Sequence, residues 1–511
     1  MHSPCECDPP TARRWRTAAA AAIIVVAVML LFTRLGQPYL WTDEAETALL
    51  GRTTLTYGIP RVLEGANLVS QNIGRDHDAS FIWRWSPWLQ FYLVAPFVAL
   101  FGVSNAALRF PFALLGLATV LLSRPMLRAH LKDETFALAG MAALATCVPF
   151  ALLARQVRYY SPSMFLAVAA LWAYARVLDR RRGGGALLFG ALALTFQANF
   201  FFFAVLAGAF AVDVLMWRRH ARAPVLGSTA LALAASTPWI VFAWGTPYDA
   251  ATAARAGLGP FAARALEFGT HFASQLGVQV FSPGLIAVSG VVALVIWRRR
   301  TGIMPPETLP GVRLFALLVV AAILAAAAAA PAPSMRYVAI ALPPLLALAG
   351  LLVVAAFRIQ VIAGFLALAI FASTSSLPSY AYELTHDFHG PIAGIVTYLR
   401  ANAHPNQTVA ITYGDLPLKL YLPHLRIVGG LAGDDLQPAA DADFIIIRKY
   451  VLCDWDAAVR EFLENRIATG SYERIEIDAP DTPFENREEP AEHLFRTATA
   501  EDRVAIWRRI R

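Results

Sequence analysis

Asp43 and Glu44 stand side by side in Tyr39-Leu40-Trp41-Thr42-Asp43-Glu44-Ala45-Glu46-Thr47-Ala48, directly after the first apolar run of the chain. Two such carboxylates are ordinarily hydrated loop acids. Their surroundings point further. Residues 37–88 hold six carboxylates and are bounded by Tyr39, Trp41, Trp83, Trp85 and Trp88, side chains suited to a membrane–water interface. A carboxylate fixed there can take the proton of an attacking hydroxyl, which is general-base work.

Arginines supply the opposite charge. Arg155-Gln156-Val157-Arg158-Tyr159-Tyr160 sits where a span reaches the interface. An arginine with aromatics at that position is more often a snorkelling anchor. The alternative is a clamp on a phosphate, which the planar guanidinium fork matches. Arg155 and Arg158 are three apart, so a continuous helix would set both on one face. Arg109, Arg336 and Arg84 are further candidates near the same interface, and two or three of these five arginines are expected to matter. Glu267 and His271, four apart, suit a metal or acid–base pair if helical, although a solvated loop helix is the plainer reading. Asp481-Thr482-Pro483-Phe484-Glu485-Asn486-Arg487 and His493-Leu494-Phe495 read as a surface loop, or as a flap over the cavity that touches an acceptor.

These groups need a scaffold. The chain has 511 residues, is 57% hydrophobic and 15% charged, with a mean hydropathy of +0.52, which implies many membrane spans. Acidic residues number two before position 37, six in 37–88, seven in 89–375 and twenty-one in 376–511. A membrane body therefore precedes a charged, soluble C-terminal domain. The net charge of +7 comes largely from Arg in short loops, the pattern that orients membrane proteins. No basic face alternates with exposed aromatics, which argues against nucleic acid. Four cysteines are too few for a disulfide framework. Arg13, Arg14 and Arg16 precede an apolar run without a small-x-small cleavage site, so an uncleaved first span is expected.

Apolar segments lie near 17–36, 88–101, 107–123, 134–152, 162–178, 186–198, 200–216, 225–243, 276–297, 312–330, 336–356 and 358–373. The basic clusters at 13–16, 124–132, 179–182, 217–222, 298–300 and Arg358 read as cytoplasmic. That places 37–88, 153–161, 244–275, 331–336 and the C-terminal domain on the outer face. Residues 88–101 are too short to span and are expected to dip into the outer leaflet, leaving about 11 spans. Beyond position 380, short strands are expected at 409–413, 444–448, 472–477 and 504–507, with helices at 392–403 and 455–464, the latter capped by Asp454.

The order Asp43-Glu44, Pro60, Ser86-Pro87-Trp88, Phe101-Gly102, Arg109-Phe110-Pro111 and Arg155 to Tyr160 resembles GT-C glycosyltransferases. The likeness is closest to the branch of protein O-mannosyltransferases and aminoarabinose-to-lipid-A transferases. It covers roughly residues 15–200, with a weaker echo at Met335-Arg336-Tyr337 and Leu342-Pro343-Pro344. The resemblance implies a polytopic helical membrane protein of GT-C type over 17–375, a cytoplasmic tail at 1–16, a catalytic outer loop at 37–88 and an extracytoplasmic α/β domain at 380–511.

It also implies transfer of a sugar from a polyprenyl-phosphate donor to a lipid, glycan or protein acceptor at the outer face of a bacterial cytoplasmic membrane, usually with inversion. Asp43 would be the base and Glu44 its acidic neighbour. The donor phosphate would meet Arg158, Tyr159, Arg155, Arg109, Arg336 and Arg84. Many relatives carry a second acid after the Arg-Tyr motif, whereas Tyr160-Ser161-Pro162-Ser163 follows here. A divalent metal would thus need ligands elsewhere, such as Asp76, His77 and Asp78, or Glu267 with His271. The competing readings are a lipid-linked sugar transporter, which should show repeated halves and midplane charges, and a non-catalytic scaffold of the same fold.

Overall fold

Helices begin and end where the local chemistry directs. The computed structural model describes residues 10–72, 74–244, 258–277, 303–374, 376–430, 436–449, 454–482, 486, 489–490, 493–496 and 502–510. Helix α1 (Pro10–Phe32) leads to α2 (Thr42–Tyr57). Asp43 and Glu44 lie in the first turn of α2, where the helix dipole favours anions. Gly58 ends the helix at φ 74° and donates its N–H to Thr54 O, a left-handed cap open to glycine. Residues 37–88 are therefore not an open loop. Beyond α2 they form a two-stranded ribbon, β1 (Leu63–Glu64) and β2 (Asn67–Leu68).

The bundle continues through α3 (Leu89–Phe101), α4 (Asn105–Leu131), α5 (Glu134–Ala145), α6 (Val148–Arg155) and α7 (Tyr160–Leu178). Ser104 caps α4 through Ala107 N–H, and Asp133 caps α5 through the N–H groups of Thr135 and Phe136. The expected span at 134–152 is a broken pair, bent by 61° between α5 and α6. Pro149 lies in the first turn of α6, where its missing N–H costs nothing. Next come α8 (Gly184–Ala198), α9 (Phe200–Met216), α10 (Arg222–Ala243), α11 (Leu258–Gly277), α12 (Leu309–Ala329), a 3-10 turn at Met335–Ala341, α13 (Leu342–Ile359), α14 (Val361–Thr374) and α15 (Leu377–Glu383). Helices α5 and α13 pack backbone to backbone at Gly140 and Gly350: a Cβ on Gly350 would fall 2.5 Å from Gly140 N. Small residues at such crossings are typical of membrane helix pairs.

Among the described residues, six helices are long and apolar enough to cross a bilayer, or up to eight if each bent pair is one span. Reaching 11 would also require the 15-residue α8 and the 17-residue α9 to cross, together with 276–297, which falls almost wholly outside the described residues. Helix α3 has 13 residues, about 20 Å of helix against a hydrocarbon core of about 30 Å.

The C-terminal region forms α16 (Pro391–Asn402), β3 (Thr408–Ile411), α17 (Asp415–Tyr421), β4 (Arg426–Gly429), β5 (Phe444–Ile446), α18 (Asp454–Thr469), β6 (Tyr472–Pro480) and β7 (Arg503–Arg509). Its sheet order is β4-β3-β5-β7-β6, parallel from β4 through β5 and antiparallel at β7 and β6. The four expected strands and two expected helices are present. Helix α18 is described from Asp454 onward, so the expected cap falls at the edge of the described residues, and β4 and α17 were not anticipated.

One apolar core joins this domain to the segment around α2. Leu49, Leu50, Val69 and Phe91 pack in the same cluster as Ile395, Leu416, Ile427 and Val504. Polar contacts follow the seam. Asn67 donates to Leu425 O and accepts from Ile427 N–H, Lys419 Nζ reaches Leu68 O at 2.6 Å, and Tyr421 Oη accepts from Leu40 N–H.

Candidate active site

Helix α2 turns two acids toward one cavity. Asp43 and Glu46 are three residues apart, one helical turn, and both line a cavity of about 520 Å³. Its polar wall adds Gln71, Ser86, Arg158 and Arg336, and its apolar wall includes Trp85, Tyr159, Phe200 to Phe202, Pro331 and Tyr337. Asn199 shapes that aromatic wall. It ends α8 and caps α9 by accepting from the N–H groups of Phe201 and Phe202.

Two guanidiniums hold Asp43. Its Oδ2 lies 3.3 Å from Arg336 Nη1 and 3.6 Å from Arg158 Nη2. Arg158 also pairs with Glu46 through Nη1, and it donates to the Asp43 backbone carbonyl. Glu46 Oε2 accepts from Gln71 Nε2 at 2.6 Å. Burial pushes the Glu46 carboxyl up from 4.5 to about 7; Arg158 opposes the rise and Asp43 adds to it.

Glu44 faces the other way, as the 100° step between adjacent helical residues requires. It is fully buried and absent from the cavity lining. Arg109 grips it with both arms, at 2.8 and 2.5 Å, Val157 N–H donates to Oε1, and Asn486 Nδ2 donates to Oε2. Arg109 further donates to the carbonyls of Pro38 and Leu35. The pair fixes the start of α2 against α4.

The other expected site residues separate in space. Arg155 and Arg158 do not share a helix face, because α6 ends at Arg155 and Gln156 is extended at ψ 144°. Arg155 donates to Tyr380 Oη and to the carbonyls of Leu30 and Thr33. Arg84 lies outside the cavity lining, with its backbone N–H on Asp76 O. Arg158, Tyr159, Arg336 and Asp43 meet in the cavity; Glu44, Arg109, Arg155 and Arg84 do not line it. Glu46 was the residue missed. Its signal was the one-turn spacing from Asp43, visible only if 42–57 is read as helix.

Candidate metal ligands are dispersed. Asp76 Oδ2 accepts from Gln71 N–H, and Asp78 Oδ1 takes the N–H groups of Ser80 and Ile82. Glu267 is exposed, and His271 pairs with Glu489 at 3.2 Å instead. Among the described residues no three His, Cys, Asp or Glu side chains come together in a metal-holding group. The tail residues dock on the bundle: His493 meets Glu383 at 2.6 Å, and Phe495 enters the apolar core.

This architecture has known counterparts. The sequence profile of the dolichyl-phosphate-mannose-protein mannosyltransferase family matches residues 86–243. The fold is similar to ArnT from Cupriavidus metallidurans bound to undecaprenyl phosphate, with a TM-score of 0.60, 13% identity, and coverage of 97% of this chain and 98% of that one. The apo state of the same ArnT gives 0.57 and 14% identity, with the same coverage. The oligosaccharyltransferase AglB from Archaeoglobus fulgidus, in complex with an inhibitory peptide and a dolichol-phosphate, gives 0.52 and 13% identity over 91% of this chain and 74% of that one. No curated protein sequence matches the chain. The fold over nearly the whole chain is thus shared with ArnT and AglB, and the family match overlaps the stretch whose motifs resemble GT-C glycosyltransferases.

Proposed function

We propose that this chain transfers a sugar from a polyprenyl-phosphate-linked donor to a lipid, glycan or protein acceptor at the outer face of a bacterial cytoplasmic membrane. Asp43 acts as general base and the anomeric centre inverts. The observation that carries the reading is the Asp43 carboxylate, buried in a 520 Å³ cavity between Arg158 and Arg336. The aromatic wall suits the faces of a sugar and the first units of a lipid chain.

The steps follow from the charges. Arg336 and Arg158 bind the donor phosphate and stabilise the charge that grows on it as the glycosidic bond breaks. Asp43 removes the acceptor hydroxyl proton as that oxygen attacks the anomeric carbon from the opposite side. The cavity then holds the carrier phosphate with the two arginines still facing it. Tyr159, whose ring lies 5.9 Å from the Arg158 guanidinium carbon, supports the clamp through the face of its π-system. Glu44, Arg109 and Arg155 shape the site without touching its contents.

The ArnT structure with undecaprenyl phosphate makes that carrier the first donor lipid to test. Purified protein is given labelled undecaprenyl-phosphate sugars, hexose and pentose, and membrane extracts as acceptor. Label moving to a second product, and lost in Asp43→Asn, supports the reading. Carrier lipid that never gives up its sugar in any pairing overturns it.

A further inference from the structure

We propose that the C-terminal segment positions the site, with Asn486 and Glu489 as positioning residues for Asp43, Arg158 and Arg336. Three of their partners lie within two residues of a cavity residue. Asn486 Nδ2 donates to Glu44 Oε2 at 3.0 Å, and Glu44 follows Asp43. The Asn486 carbonyl accepts from Gln156 Nε2 at 3.0 Å, two residues before Arg158. Glu489 Oε1 accepts the Met335 N–H at 2.8 Å, one residue before Arg336. One short stretch of chain thus touches all three elements that carry the cavity's key charges.

A plain tether would explain less. The C-terminal domain is already joined to the α2–β2 segment by the apolar core and by Lys419 and Asn67. Glu489 is 5% exposed, and burying a carboxylate is costly unless it is paired and hydrogen-bonded. Its placement at the start of the Met335 turn satisfies a backbone N–H that has no helical partner and sets a negative charge at a positive helix end. Ser334 Oγ accepts from Arg336 N–H in the same turn, so the first turn is fixed by two side chains just where Arg336 departs. His271 on the second Glu489 oxygen fixes the carboxylate plane. Holding Arg336 in place this way leaves its guanidinium aimed at the cavity before any lipid arrives, the preorganisation that charge stabilisation needs.

The inference rests on the reading of the cavity as a carrier-phosphate site, and the test separates the two. The full chain in lipid nanodiscs is titrated with undecaprenyl phosphate. Arg336→Ala is expected to weaken binding roughly tenfold or more, the loss of a charged hydrogen bond. Glu489→Ala should weaken it several-fold, while Glu489→Gln, which keeps the acceptor for Met335 N–H, stays within about twofold of wild type. In the double variant, loss of Glu489 should add nothing to loss of Arg336, which no purely structural role would produce. Wild-type affinity in Glu489→Ala, or full additivity with Arg336→Ala, overturns the positioning role alone. Wild-type affinity in both Arg336→Ala and Arg158→Ala overturns the phosphate site and the inference with it. If Glu489→Ala does not yield folded protein, Glu489→Met, close in volume but without the acceptor, carries the same cycle.

Discussion

Glu46 follows Asp43 by one turn of α2, and a single guanidinium, that of Arg158, reaches both carboxylates. With both acids ionised, the two arginines of the cavity are neutralised. With Glu46 protonated, the site carries one net positive charge, which matches the single charge of a phosphodiester. Burial holds Glu46 at about 7, so this balance changes near neutral pH.

That shift has a stability consequence. Glu46 is raised from 4.5 to about 7 in the folded protein. Between those values the native state binds more protons than the unfolded one, so its contribution to stability falls as pH rises through the window. Glu46→Gln cannot ionise. It should match wild type at low pH and exceed it by on the order of 1–3 kcal/mol above pH 7. Thermal unfolding at about pH 5 and about pH 8 checks this. An identical gap at both pH values would assign the difference to packing.

Apolar runs and short alternating strands made the architecture legible, because burial in lipid or in a sheet core writes period and length directly into sequence. Asp43, Arg158, Tyr159 and Arg336 were legible by residue type and by their place beside spans. Glu44 was not separable from Asp43, since neighbouring acids look alike until a helix turns them 100° apart. Arg155 was grouped with Arg158 because nothing at Gln156 announces the break. The docking of Asn486, Glu489, His493 and Phe495 depends on contacts more than a hundred positions away, such as Asn486 with Glu44, which no local pattern encodes.

Glu44 therefore predicts a different phenotype from Asp43. Its side chain and that of Arg109 are both almost fully buried. Glu44→Gln leaves the Arg109 charge without its counter-ion, which typically costs about 3–5 kcal/mol. Expression and thermal stability should fall, and Arg109→Ala should behave alike. A Glu44→Gln protein as stable as wild type but inactive would return Glu44 to the chemistry.

Arg158 tests the clamp. Arg158→Lys keeps the charge but loses the fork that reaches Asp43 and Glu46 together, so turnover should fall while the fold persists. Steady-state transfer beside a thermal-unfolding control is the measurement. Full activity in both Arg158→Lys and Arg158→Ala would leave this residue an interfacial anchor.

Orientation is tested by reporters. Fusions or accessible-cysteine probes within 60–80, near 260 and near 450 should report outside, and one at Arg182 inside, as the basic clusters direct. The shared core of α2 and the C-terminal domain requires the first and last of these to agree. A cytoplasmic reading at 450 would reverse the proposed side of the reaction.

Asp43 carries the mechanism. Its Oδ2 is held by Arg336 and Arg158 within the cavity, so Asp43→Asn changes the charge while keeping the shape. General-base help is typically worth about 10²–10⁴-fold in rate, and transfer should drop by that order. Binding of undecaprenyl phosphate should persist, and could tighten, because the arginines lose a competing anion. Stability should change little beside Glu44→Gln, since the partly exposed Arg336 can turn to water. The decisive assay follows single-turnover transfer from a labelled undecaprenyl-phosphate sugar by the purified variant. A rate near wild type would remove Asp43 as the base and leave the cavity a binding site whose proton acceptor lies elsewhere, with Glu46 the next carboxylate to test.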